Sequence, residues 1–295
     1  MKILASALLA VTMVGSDHPT PVLWKGEPLP TVAAFQPANW LMSLAGRRAD
    51  GKTSYCTAVL VAPTVALTAG YCLVDVTSIE VMAATEGAGE FTPVASAVAW
   101  EAHPQTNGWD PPTEKMRYFS DGNAYKYVDL GIVALDRRID LEPVRLSPPQ
   151  LDPLAAPVNT YVFGRQRDEF YRSLPSFGVL RPESVRWYMK SSTILAKLPK
   201  GLWCVRDSGG PVAVEGGGED GDSELQLVGI AIVALGRVLT GSQTKLRAVW
   251  GDDLSAVPTC ADSLVYVHVG RNLTWIQDTM ERLSPGSASE LRFAR

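Results

Sequence analysis

The sequence predicts an all-β protein, a barrel or a sandwich, closed by one helix. Three observations lead there. Short runs rich in β-branched and apolar residues recur along the chain, separated by glycine and proline. A proline-dense segment divides the chain near its middle. One stretch near the C-terminus has helical rather than alternating spacing. With 295 residues, 46% of them hydrophobic, the chain can bury one large or two moderate cores.

In chain order, MKILASALLAVTMVGS opens with one lysine, an apolar run over 3–14 and then small residues, which predicts a signal peptide at 1–16. The β-type runs follow at 56–62, 65–68, 79–83, 94–100, 130–135, 158–163, 225–234 and 264–269. Residues 141–157, LEPVRLSPPQLDPLAAP, carry Pro143, Pro148, Pro149, Pro153 and Pro157, which remove backbone donors, so they predict a link between halves. EGGGEDGDSE at 215–224 is too glycine-rich and charged to pack and predicts a hairpin tip. RQRDEFYR at 165–172 predicts a solvated loop. In NLTWIQDTMERL, residues 272–283, Leu273, Ile276, Met280 and Leu283 recur at helical spacing. The tail at 285–295 loses that periodicity and is expected to be flexible. No repeat of 20–50 residues is visible.

Net charge is −4 with no block of like charges, which implies neither nucleic acid nor an anionic membrane surface as partner. No later stretch reaches the eighteen or so apolar residues of a membrane span. The four cysteines, Cys56, Cys72, Cys204 and Cys260, form no C-x-x-C pair, so they point to disulfides of an exported chain rather than to a metal site. Sequence alone leaves three pairings open.

DSGGP at 207–211 is, by itself, ordinary turn composition. It does not stand alone. YCTAVLVAPTVALTAGYCLV at 55–74, VDLGIVALDRRI at 128–139, VFG at 162–164, LVGIAIV at 227–233 and YVHVGRNLTWIQ at 266–277 occur with it, all in one order. Together they resemble the trypsin and chymotrypsin family of secreted serine peptidases over about residues 31–283. The resemblance implies two antiparallel six-stranded β-barrels, at 31–145 and 146–270, with the active-site cleft between them and a C-terminal helix at 271–284. It implies disulfides Cys56–Cys72 and Cys204–Cys260, the first contributing roughly 3 kcal/mol by chain entropy. It also makes Ser208 the nucleophile and Asp129 the buried carboxylate of a triad, with no cofactor or metal.

The base is missing. Tyr71 stands where the family has histidine. A phenol with a pKa of about 10 is ionised only to about one part in a thousand near neutral pH, and burial raises that pKa. It also has one oxygen at its tip, where imidazole has two nitrogens to bridge carboxylate and serine. Arg206 replaces a glycine whose N–H belongs, with those of the Asp207–Ser208 loop, to the oxyanion region. Leu202, at the base of the specificity pocket, implies an apolar pocket, and Ile232 replaces a serine that supports the triad aspartate. TVAA at 31–34 is the best counterpart of the freed terminus that pairs with Asp207, yet Pro30 precedes it and the nearest upstream basic residue is Lys25. His18, His103 and His268 sit where none is expected to act as a replacement base. Asn272 opens an N-x-[ST] triplet.

The expectation is therefore a secreted, extracellular or periplasmic serine protease homologue. It has lost or nearly lost peptidase chemistry and binds or regulates a protein or peptide partner. The alternative is an active serine hydrolase using Ser208 with a non-standard base.

Overall fold

A two-residue strand, β1 (Glu27–Pro28), precedes six longer strands that close into a barrel. In the computed structural model, the residues described are 27–28, 40–84, 91–106, 128–151, 160–167, 173–180, 182–188, 192–198, 203–204, 207–217, 223–235, 260–261 and 263–294. The barrel strands are β2 (Leu41–Arg48), β3 (Thr53–Ala62), β4 (Val65–Thr68), β5 (Val76–Ala84), β6 (Phe91–Ala102) and β7 (Gly131–Leu135). They pair antiparallel in the ring order β2-β3-β4-β7-β6-β5, with β5 returning to β2. The residues of β4 and β7 are buried throughout rather than alternately. Such a run needs cover on both faces. The barrel interior covers one, and part of the other meets the C-terminal helix, which contacts β6 and β7.

The second half continues with β8 (Arg145–Leu146), β9 (Thr160–Arg167), β10 (Ser173–Leu180), β11 (Ser184–Tyr188) and β12 (Thr193–Lys197). It is completed by β13 (Trp203–Cys204), β14 (Pro211–Gly217), β15 (Ser223–Leu235), β16 (Cys260–Ala261), β17 (Ser263–His268) and the helix α1 (Leu273–Leu283). Its main sheet runs β1-β10-β9-β14-β15-β17-β12-β11, with β8 alongside β15 in parallel. Strands β10 and β11 lie at opposite ends of this path yet are consecutive in the chain, separated only by residues around Pro182. Proline cannot donate to a ladder, so pairing breaks there while the chain curls the sheet into a half-barrel. The fold is all-β, two barrel-like halves and a closing helix.

Strands β14 and β15 form the hairpin expected around 215–224, with Gly217 opposite Ser223. The tip at 218–222 lies outside the described residues, as do the expected signal peptide, TVAA, His18, Leu202, Arg206 and 168–172. The proline-rich link is not strandless. Between Pro143 and Pro148 it contributes β8, which pairs with Gln226 and Leu227 of β15.

The tail differs from the expected flexible segment. After α1 a 3-10 turn spans Ser287–Glu290, with Ser287 buried and its hydroxyl on the Met280 carbonyl at 3.2 Å. Phe293 then bridges Leu146 in parallel. Periodicity could not reveal this, because a strap held by main-chain bonds and ion pairs needs no apolar repeat.

One hydrophobic cluster runs from Trp40 and Leu60 in the first barrel through Tyr161, Leu227 and Ile232 in the second to Ile276 and Met280 of α1. A smaller one, around Val162, Val228 and Tyr266, belongs to the second half alone.

Candidate active site

Tyr71 lies in a short 3-10 turn, Gly70–Leu73, entered directly from β4. The turn is fixed at its far side by the Cys56–Cys72 disulfide, which ties it back to β3. Its near side is fixed by Asp129, which enters β7 with 1% of its surface exposed and accepts the Tyr71 N–H on Oδ1 at 2.7 Å. Only glycine fits before Tyr71. A Cβ on Gly70 would stand 2.4 Å from Thr106 Oγ1, 2.8 Å from the Leu130 carbonyl and 2.9 Å from Asp129 Oδ1. Thr106 in turn donates its hydroxyl to the Val128 carbonyl at 2.9 Å, tying the segment after β6 to the residue before Asp129.

Ser208 comes from the second barrel, in the turn before β14, and is fully buried together with Asp207. Gly209 has a φ of +89°, and a Cβ there would sit 1.9 Å from the Thr57 carbonyl oxygen. The glycine after the serine is therefore demanded both by backbone conformation and by the approach of the two barrels. The loop is held from both sides. Thr57 N–H donates across the barrel junction to the Ser208 carbonyl at 2.9 Å, and Gly209 N–H donates to Ala231 of β15 at 2.7 Å. Thr68 donates to the Thr57 carbonyl at 2.7 Å and steadies that acceptor.

The structure thus brings Tyr71, Asp129 and Ser208 together, and it decides where their protons go. Ser208 Oγ donates to the main-chain carbonyl of Ile232 at 2.9 Å. It is also hydrogen-bonded to the Tyr71 side chain. A hydroxyl has one proton to give. With the serine proton on Ile232, the tyrosine hydroxyl is the donor to Ser208, and the chain runs Tyr71 to Ser208 to Ile232. Tyr71 as a whole residue is half-buried, and its hydroxyl is withdrawn from solvent. Desolvation there drives the phenol well above its ordinary pKa. A Ser208 hydroxyl turned to donate to the phenolate opposes this, and the charges of Asp129 and Asp207 add to it.

The two described histidines, His103 and His268, are engaged elsewhere. His268 is buried on β17, with Nδ1 accepting the Arg271 N–H at 3.1 Å and Nε2 at 3.3 Å from the Leu151 carbonyl. His103 packs edge-on against Trp275 of α1 at 4.7 Å and accepts the Gln105 N–H at 3.1 Å on Nδ1. Burial lowers its pKa. Asn272 is 8% exposed and donates its amide nitrogen to the His268 carbonyl at 2.8 Å, so the atom a glycan would need is enclosed and bonded. Among the described residues no group of three or more His, Cys, Asp or Glu side chains could hold a metal ion. Nor is any described helix long and apolar enough to cross a membrane.

Trp203–Cys204 and Cys260–Ala261 form a small antiparallel sheet in which Cys204 stands opposite Cys260. Directly opposed residues of such a pair have Cα atoms about 4.5–5.5 Å apart, within disulfide range. Sequence reasoning missed Gly70, Thr57, Thr68 and Thr106. Gly70 left a trace as a glycine inside an otherwise strand-like run; the threonines left none.

The chain is similar to a solved structure of HL collagenase, with a TM-score of 0.52 over 82% of this chain and 94% of that one, at 17% identity. The fold is that of the trypsin-like serine proteases. In that fold the cleft lies between the barrels, where Tyr71 from the first meets Ser208 from the second. At this identity the likeness carries the trypsin-like architecture and nothing of its chemistry. No protein-family model matches the sequence, and no curated protein does.

Proposed function

We propose that this chain is a secreted trypsin-fold serine protease homologue whose peptidase chemistry is absent or severely impaired, and which acts as a binding or regulatory module for a protein or peptide. One observation carries the reading. The Ser208 proton is directed at the Ile232 carbonyl, which cannot act as a base near neutral pH, while the oxygen that would attack accepts a hydrogen bond from Tyr71. Attack on an acyl carbon needs a general base within reach of the serine proton. Tyr71 is placed as a donor, and its raised pKa leaves even less phenolate than the roughly one part in a thousand of a free tyrosine at pH 7.

The Cys56–Cys72 bridge supports export, since structural disulfides persist in oxidising compartments. The Cys204–Cys260 pairing, the oxyanion defect at Arg206 and the apolar pocket floor at Leu202 belong to the same reading. A second reading, an active hydrolase with a non-standard base, draws on the retained scaffold: Asp129 still fixes the residue-71 main chain and the Ser208 turn keeps its glycine cradle.

Labelling with a fluorophosphonate probe from pH 6 to 10 separates the two, with Ser208→Ala as control. The expected result is no Ser208-dependent labelling and no peptide cleavage. Labelling that vanishes in Ser208→Ala overturns the proposal. If only base and oxyanion positions are damaged, Tyr71→His combined with Arg206→Gly recovers measurable labelling in the same assay.

A further inference from the structure

The segment after α1 reaches both halves of the molecule. On the first-barrel side, Ser284 Oγ lies 3.1 Å from Thr64 Oγ1 in the β3–β4 turn, and Glu290 pairs with Arg138 just beyond β7 at 2.6 Å. Both carboxylate oxygens of Glu281 accept the Gly286 N–H, at 3.1 and 3.0 Å, and Gly286 takes a φ of +86° that turns the chain back. On the second-barrel side, Leu146 N–H donates to the Arg292 carbonyl at 2.8 Å, and Ala294 N–H donates to the Leu146 carbonyl at 2.9 Å. Arg292 also pairs with Glu142 at 2.6 Å. Leu146 is no isolated anchor, because β8 pairs with β15, whose Ile232 carbonyl holds the Ser208 hydroxyl.

A closed mechanical loop results. It passes from Thr64 and Arg138 through the strap to Leu146, along β15 to Ser208, and across the barrel junction to Thr57 and Tyr71. From it we infer that residues 284–294 are a tether that keeps the two barrels in register and Tyr71 seated against Ser208, so that lifting the strap at the back of the molecule loosens the cleft at the front. The inference rests on the proposed reading of Tyr71 as a group that occupies the site, and it assigns that site a control point.

The junction bond from Thr57 N–H to the Ser208 carbonyl provides the readout, because amide exchange at Thr57 reports separation of the barrels. The full-length variant Ala294→Pro with Arg138→Ala and Arg292→Ala removes one main-chain donor and two ion pairs and changes no residue of either apolar cluster. A chain ending at Leu283, which lacks the strap altogether, is the second variant. In either one, protection of the Thr57 amide is expected to fall by about tenfold or more, while amides of the β2–β5 ladder change by less than about twofold. Thr57 protection within about twofold of the parent, in a variant whose β2–β5 ladder stays protected, overturns the tether. So does a loss of equal size at both places, since the strap then supports general stability rather than the junction. Neither result depends on catalysis: labelling of Ser208 in the parent chain sinks the reading of Tyr71 and leaves the exchange result standing.

Discussion

Each hydroxyl at the Tyr71–Ser208 contact has one proton, and the direction of the chain follows from where Ser208 sends its own. The same burial that raises the Tyr71 pKa couples its ionisation to stability. Its folded pKa is raised above the ordinary value of 10.0. The folded state therefore holds the proton more tightly than the unfolded chain. The resulting stability is fully present below pH 10 and is lost as pH rises from there through the folded value. Tyr71→Phe keeps the ring and removes the ionisation. Between pH 9.5 and 11 its urea midpoint is expected to fall less steeply than the parent's; parallel slopes count against an enclosed hydroxyl. The sequence resemblance pointed to Ser208, Asp129 and Tyr71, because each sits inside a run of ordered neighbours. It could not show the Ile232 carbonyl as the acceptor, since a main-chain atom has no signature in side-chain identity. Nor could it show why Gly70 is required, which depends on Thr106 arriving from the segment after β6.

Among elements, α1 illustrates a competition between apolar burial and surface charge. Ile276 and Met280 are fully buried against the barrel cluster, while Arg282 makes a two-pronged pair with Glu101 of β6 that is open to solvent. Exposed ion pairs contribute little because water and salt screen them. A buried Met→Ala change costs about 2–5 kcal/mol through lost transfer energy and a residual cavity. Met280→Ala is thus expected to lower the urea midpoint far more than Arg282→Ala, and 1 M salt is expected to erase most of the Arg282 effect. The reverse ranking would mean that charge, not packing, docks the helix. Such burial is what made α1 legible at 272–283. Strands β3 to β7, β9, β15 and β17 were legible because their apolar runs are continuous and end at glycine, proline or a charged pair. Strand β2, LMSLAGRR, was not: Ser43, Gly46 and two arginines interrupt the pattern, although Ser43 is wholly buried with its hydroxyl on the Cys56 carbonyl. Strands β10 to β12 were hidden by Pro175, Pro182 and short length; β10 is a strand through its pairing with β9, and β11 and β12 through the ladder that β12 makes with β17.

For the whole molecule, two barrels in sequence suggest two folding units, yet the packing contradicts independence. Helix α1 follows the second half in the chain and covers the first, and the largest apolar cluster includes residues of both. Main-chain bonds cross the junction at Thr57–Ser208, and Val144, just before β8, donates its N–H to the Leu60 carbonyl of the first barrel while β8 itself pairs with β15 of the second half. Separating the halves would expose apolar surface on each, which disfavours a state with one half folded. The chain is therefore expected to unfold in one transition. Trp40 reports on the first barrel and Trp187 on the second, so urea curves from chains retaining tryptophan only at one or the other of these positions should share a midpoint and an m-value. Two separated midpoints would show that each barrel holds its own stability, and the tether across the back would then join modules that do not need it.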